Sequence, residues 1–195
     1  MNTTITSLTA KVRKAIDDIA PEALDDFSTD ANEEMAQAIV HAATSLLQTL
    51  PIELLEVSTE NYTNVVDGAV ALPSGFLRFV AYKAADWSGS VKTLVEPGSD
   101  EEKMQHNPWS RGSNSKPKAM LEDAAVGPGK YLSIWPTCAN GKLYYIAQAT
   151  INDSTLTCGL KSECEKNLIN LAASMYLEGK KEHDAAANFL ELSKL

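Results

Sequence analysis

Leu72-Pro73-Ser74-Gly75-Phe76-Leu77-Arg78-Phe79-Val80 opens, and Tyr131-Leu132-Ser133-Ile134-Trp135-Pro136 closes, a stretch from Ala71 to Pro136 unlike the sequence around it. Inside it, aromatic and β-branched runs are cut by Pro and Gly, as in short strands joined by turns. Phe76 to Lys83 reads as a strand, and its blurred alternation predicts cover on both faces. Val91 to Val95, Lys118 to Leu121 and Tyr131 to Trp135 read as further strands. Lys142 to Thr150 adds another, and Tyr62, Val65 and Val66 predict a short strand ahead of the stretch. Asp67-Gly68, Pro97-Gly98, Pro128-Gly129 and Asn140-Gly141 are the expected turns, with Asn140-Gly141 a hairpin signal. Ser99 to Gln105 can make one helical turn, with Ser99 as cap and Glu102 at the third position. His106 to Lys118, with Pro108, Gly112 and Pro117, reads as a long exposed loop of the kind that carries contacts to a partner.

Outward from this stretch the period becomes helical. Ile5, Leu8, Val12, Ala15, Ile16 and Ile19 recur at three and four residues, with Thr6 or Ser7 as cap and Pro21 as stop. Pro21 to Ser28 is an acidic connector. Asp30 and Glu33 have capping-box spacing. Met35, Ile39, Ala42 or Ala43, Leu46, Leu47 and Leu50 then line a second helix that Pro51 stops, and Ile52, Leu54, Leu55 and Val57 are expected to pack its exit. On the far side, Ser162 and Glu165 have capping-box spacing, and Leu168, Leu171, Ala172 and Met175 share a face. Gly179 stands at a helix end. A last helix is expected from about Glu182 to Ser193, with Ala185 or Ala186, Phe189, Leu190 and Leu192 as its apolar set. The predicted fold is therefore α+β: a helical base of about four helices with an inserted antiparallel β domain. The boundaries are 1–58 and 158–195 for the base and 59–157 for the insert.

Composition narrows the function. A chain of 195 residues buries a core without staples. No apolar run approaches the ~20 residues of a membrane helix, so no membrane partner is expected. Met1 to Ala10 is polar and Thr-rich, unlike a secretory signal. The formal charge of −9 disfavours a nucleic-acid binder, which needs a basic patch. The three cysteines, Cys138, Cys158 and Cys164, argue against a disulfide framework and read as reduced, partly buried thiols.

No motif carries catalysis. Cys158 and Cys164 lack the Cys-x-x-Cys spacing of a zinc site, and no neighbouring motif orients His41, His106 or His183. Gly127-Pro128-Gly129-Lys130 leads into a strand, whereas a phosphate loop opens a helix and continues Lys with Ser or Thr. No cofactor, metal or enzymatic activity is expected. Trp87 and Trp109, in polar loop-like sequence, are candidate interface anchors or loop residues folded back on their own domain. Trp135 reads as core. Arg78 is the lone charge of an apolar run. Arg111, Lys116 and Lys118 form a local positive cluster, able to meet an acidic face such as Asp100-Glu101-Glu102 on an adjacent copy.

The order of motifs resembles a known family. Two helices end at Leu50-Pro51, followed by Ile52-Glu53-Leu54-Leu55. Leu72-Pro73-x-x-Phe76-Leu77-Arg78 comes next, then Lys116-Pro117-Lys118-Ala119, the Tyr131 to Pro136 run, and a helix pair containing Ala172 to Gly179. From about Asp30 to Leu195 this resembles the head-to-tail adaptor proteins of tailed bacteriophages, also called connector, ring or tail-tubular proteins. The resemblance implies a virion structural protein at the head–tail junction, assembled in the host cytoplasm. It implies a ring, commonly of about twelve copies, docked on the portal protein. Neighbouring copies and downstream tail or ring proteins are further implied partners, and DNA passes through without specific binding. The candidate interface residues are Arg78, Trp87, Trp109, Arg111, Lys116, Lys118, Phe189, Leu190 and Leu195. The family's C-terminal segment often docks into the portal; this sequence runs to Leu195, just past its last helix, without the longer tail of some members. The alternative reading is a small soluble α+β hydrolase or ligand-binding protein with no recognisable motif.

Overall fold

The computed structural model describes residues 2–21, 29–123, 129–152 and 154–194. It is an α+β protein that divides into two compact units, one of residues 1–56 and 147–195, the other of residues 57–146. Ser58 lies directly opposite Tyr145 in an antiparallel pair, so the strands that enter and leave the second unit are neighbours.

In the first unit, α1 (Ile5–Ile19) starts from Thr4, whose hydroxyl accepts from Ser7 N at 3.4 Å; the cap is thus Thr4, not Thr6 or Ser7. Leu8, Val12 and Ile16 form its buried stripe, while Ile19 is exposed. Helix α2 (Thr29–Thr49) buries the predicted face, Met35, Ile39, Ala42, Ala43, Leu46 and Leu47, with Leu50 just beyond it. Thr29 is already helical, so Asp30 is inside the helix; its side chain lies outside the described residues. Of the exit residues, Leu55 is buried and Val57 exposed. Helix α4 (Glu165–Gly179) packs against α1, α2 and α5 (His183–Ser193), and a six-residue α3 (Asp100–Gln105) belongs to the other unit.

Three helix-end expectations are corrected. Ser162 and Glu165 make no capping box, because Ser162–Cys164 forms a 3-10 turn ahead of α4 and Cys164 occupies its N-cap. The left-handed residue after α4 is Lys181, φ 66°, not Gly179. Lys181 N donates to Glu178 O at 3.0 Å and Glu182 N to Leu177 O at 3.0 Å, the paired bonds of a Schellman turn. In α5, Ala186, Phe189 and Ser193 are buried while Leu190 and Leu192 are exposed. The shift follows from polar contacts on α4. Asn167 Nδ2 donates to Ser193 O at 2.8 Å, Asn170 Nδ2 to Leu192 O at 2.9 Å, and Ser174 Oγ to Ala186 O at 2.8 Å. The two asparagines satisfy carbonyls that a helix C-terminus leaves open, Ser174 bonds nearer the start of α5, and together they fix which face of α5 turns inward.

The first unit also holds a small antiparallel sheet of β1 (Asn2–Thr4), β9 (Thr155–Thr157) and β8 (Thr150–Asn152), in the order β1-β9-β8. The expected strand Lys142 to Thr150 is therefore two strands: β7 (Gly141–Ala147) ends, and β8 joins this other sheet. Residues 147–157, assigned from sequence to the insert, belong to the helical unit.

The second unit contains two antiparallel sheets. One has the order β2-β7-β4, with β2 at Ser58–Tyr62 and β4 at Phe76–Ala84. The other has the order β3-β6-β5, with β3 at Ala69–Ala71, β5 at Lys118–Asp123 and β6 at Lys130–Trp135. Val65 and Val66 fall outside β2. Asp67 and Gly68, φ 53° and 74°, form a tight turn closed by Ala69 N donating to Val66 O at 3.0 Å. Six successive residues of β4 are half-buried, matching the blurred alternation. Val91 to Val95 is not a strand: only isolated bridges, Tyr82 to Val91 and Val95 to Met120, hold it. Asn140-Gly141 does not join paired strands, since β6 and β7 lie in different sheets. Glycine is required at 141 because a Cβ there would collide with the Tyr82 hydroxyl.

Candidate interaction surface

The segment 98–118 combines a hydrogen-bonded frame, anchored by the buried Gln105 and Pro117, with a fully presented aromatic. Ser99 Oγ accepts from Glu102 N at 3.2 Å, and the Glu102 carboxylate accepts from Gly98 N. This N-terminal cap, with Asp100, Glu101 and Glu102 in the first turn, starts α3 as predicted. At its other end Gln105 is buried at 5% exposure. Its Nε2 donates to Glu101 O at 2.8 Å, and its Oε1 accepts from Gly112 N at 2.9 Å, tying the loop back to the helix.

The loop repeats this inside itself. Asn107 Oδ1 accepts from Trp109 N at 3.0 Å, while Asn107 O accepts from Ser110 N and Arg111 N. This is an Asx turn followed by a backbone turn. Ser110 Oγ donates to Met104 O at 3.0 Å. Gly112 fits against strand β6: a Cβ there would lie 2.5 Å from Trp135 O. Further along, Ser113 and Lys116 exchange backbone bonds, Asn114 O accepts from Ser88 N and Gly89 N, and Pro117 is buried.

On this frame Trp109 is 96% exposed, with Met104 at 53% nearby in the chain. An indole held away from its own protein by a bonded loop keeps its apolar area in water, and that area is recovered only against another surface. Arg111 and Lys116, further along the same loop, are exposed as well. Lys118 is not available in the same way, because it pairs with Glu101 of its own chain, and Asp100 meets Lys103 at 2.7 Å. The expected meeting of Lys118 with an acidic Asp100-Glu101-Glu102 face is thus made within one chain.

The other sequence candidates separate by burial. Trp87 is 4% exposed and meets Tyr82 edge-on at 5.7 Å, so it is folded into its own unit and offers no surface. Phe189 is fully buried. Leu190 is exposed on α5, Arg78 is half-buried on β4, and Leu195 lies outside the described residues. Met104 and Asn107 carry no sequence expectation of their own, and Gln105 and Gly112 are expected only as a helix end and a loop glycine. Asn107-Pro108-Trp109 carries an Asx-turn signal, but the partners of Gln105 and Gly112 depend on the fold.

Among the described residues no group of three His, Cys, Asp or Glu is arranged to hold a metal ion, and no helix is long and apolar enough to cross a membrane. Cys138, Cys158 and Cys164 are buried free thiols, each pushed above its ordinary pKa chiefly by burial, which keeps them protonated and weakly nucleophilic. No known family model matches the sequence, and no curated protein matches it.

Proposed function

We propose that this chain is a virion structural protein, a subunit of the adaptor ring that joins a bacteriophage portal to its tail. The motif order from Leu50-Pro51 to the C-terminal helix pair supports the family, and a β unit inserted into a helical one suits its plan. The observation that carries the reading is Trp109, 96% exposed on a loop fixed by Gln105, Asn107 and Gly112. A solvated aromatic on a bonded loop that also exposes Arg111 and Lys116 fits assembly better than catalysis. The aromatic supplies affinity, at roughly 2 kcal/mol or more for a buried anchor, and the charges set register and rate. In this role the protein is not an enzyme, acts at the head–tail junction, forms part of the DNA conduit and presents a tail attachment surface.

Negative-stain imaging of the protein mixed with a portal protein from the same source tests the proposal. A ring on the portal is expected, and Trp109→Ala and Arg111→Glu are each expected to lower incorporation while leaving the fold intact. Absence of a portal complex with the parent protein would count against the adaptor role. Parent-like incorporation of both variants across salt would remove the loop from the interface.

A further inference from the structure

Lys83 and Lys142 meet no carboxylate among the described residues, whereas Lys11, Lys103, Lys118, Lys130 and Lys180 each do. Both line a concavity of about 400 Å³ on the β2-β7-β4 sheet, together with Asn61, Tyr62, Asn140 and Tyr144. The register sets Asn61 directly opposite Lys142, so the two share a sheet face, and Tyr144, two residues on, shares it too. Lys142 Nζ lies 5.4 Å from the centre of the Tyr144 ring, a contact that holds the ammonium in place and leaves its charge intact.

No carboxylate lines the concavity, in a chain of formal charge −9. The lysines, asparagines and Tyr144 that line it carry ammonium, amide and phenol groups able to donate to an oxyanion. Lysine is a compact point charge suited to phosphate. The volume lies within the range of small-ligand pockets, beyond what a lone oxyanion fills.

We propose that this concavity binds a small phosphate monoester, its phosphate held by Lys83 and Lys142 and its remainder against Tyr144 and the amides of Asn61 and Asn140. The site does not rest on the adaptor reading, and its test needs no portal. Adenosine monophosphate, inorganic phosphate and a short oligothymidylate are titrated separately into the full chain, following its backbone amide resonances. Saturable shifts centred on Asn61, Lys83, Lys142 and Tyr144 are expected with the monophosphate, weaker ones with inorganic phosphate. Lys83→Gln, at an exposed position, is expected to weaken the monophosphate about tenfold, the scale of one charge-assisted bond. Lys142→Gln is expected to weaken it as well, and Lys116→Gln, outside the concavity, to leave it unchanged, with circular dichroism checking the fold of each. The proposal is overturned by no saturable shift with the monophosphate, or by parent-like affinity in Lys83→Gln. Tighter binding of the oligothymidylate would also overturn it, by making the lysines a contact for a nucleic-acid strand.

Discussion

Lys181 holds a backbone conformation that L side chains avoid, φ 66°, to close the Schellman turn between α4 and α5. Glycine adopts it without steric cost. Lys181→Gly is therefore expected to stabilise the fold by about 1 kcal/mol, less the greater freedom of glycine in the unfolded chain, and to raise Tm by a few degrees. A lower Tm in calorimetry would show that the side chain contributes more than the strain costs. Two tyrosines give a pH signature. Tyr62 is raised to about 12, and Tyr82 is raised further by burial and then its hydrogen bond to Cys138. In the unfolded chain both ionise near pH 10, so above that pH the folded state keeps protons that the unfolded state loses. Their contribution to stability is full below about pH 10 and falls as pH rises toward 12 and beyond. Denaturant melts across this range are expected to show a steady loss, made shallower by Tyr82→Phe. Stability that stays flat from pH 10 to 12 would contradict the assignment.

Among the elements, α5 depends most on polar contacts. Asn167 and Asn170 donate to its last carbonyls, and all of these groups but Leu192 belong to buried residues. Removing either amide leaves a carbonyl unpaired, at about 1–2 kcal/mol. Asn167→Ala and Asn170→Ala are expected to speed hydrogen exchange in the last turn of α5 before α1 is affected; equal acceleration in both helices would argue for a global effect instead. The same contacts explain where sequence reading stopped short. Helix α2 was legible because Met35 to Leu50 keeps one helical period throughout, so burial alone orients it. Leu190 and Leu192 were grouped with Phe189 in one apolar set because hydrophobicity was the available signal, yet amides on α4 decide the rotation of α5. Strands β8 and β9 lie in Thr-Ile-Asn-Asp-Ser-Thr-Leu-Thr, where Leu156 is the single buried one among the described residues, too weak a pattern to reveal a hairpin. Asn140-Gly141 announced a turn but not the sheet beyond it, which depends on Tyr82 packing beneath Gly141. The Trp109 loop was legible as polar and exposed. Its rigidity was not, because Gln105 and Gly112 find their partners only after folding.

At the scale of the whole molecule, charge bears on how copies meet. The chain carries a formal −9, and several of its cations are already matched within it: Lys11 with Glu165, Lys118 with Glu101, and Lys180 with Glu34. These half-exposed pairs add little stability, typically under 1 kcal/mol each, but they leave fewer cations to offset repulsion between copies. Arg111 and Lys116, on the same loop as Trp109, remain as exposed positive groups on the candidate surface. In the adaptor role proposed above, closing a ring from like-charged copies needs either screening or a template that supplies binding energy and orientation. A subunit that closed rings unaided would also compete with assembly on the portal. The protein alone is therefore expected to sediment as a monomer at low ionic strength. Any self-association should grow with salt, as the Debye length falls from about 30 Å at 0.01 M to about 10 Å at 0.1 M. Portal protein should bypass that requirement and assemble rings at low salt, and Trp109→Ala should weaken this templated step while leaving the monomer unchanged. Sedimentation velocity over a salt series, with and without portal protein, distinguishes the cases. A stable high-order ring at low salt without a partner would mean that contacts between copies overcome the repulsion unaided, and the template would not be needed to close it.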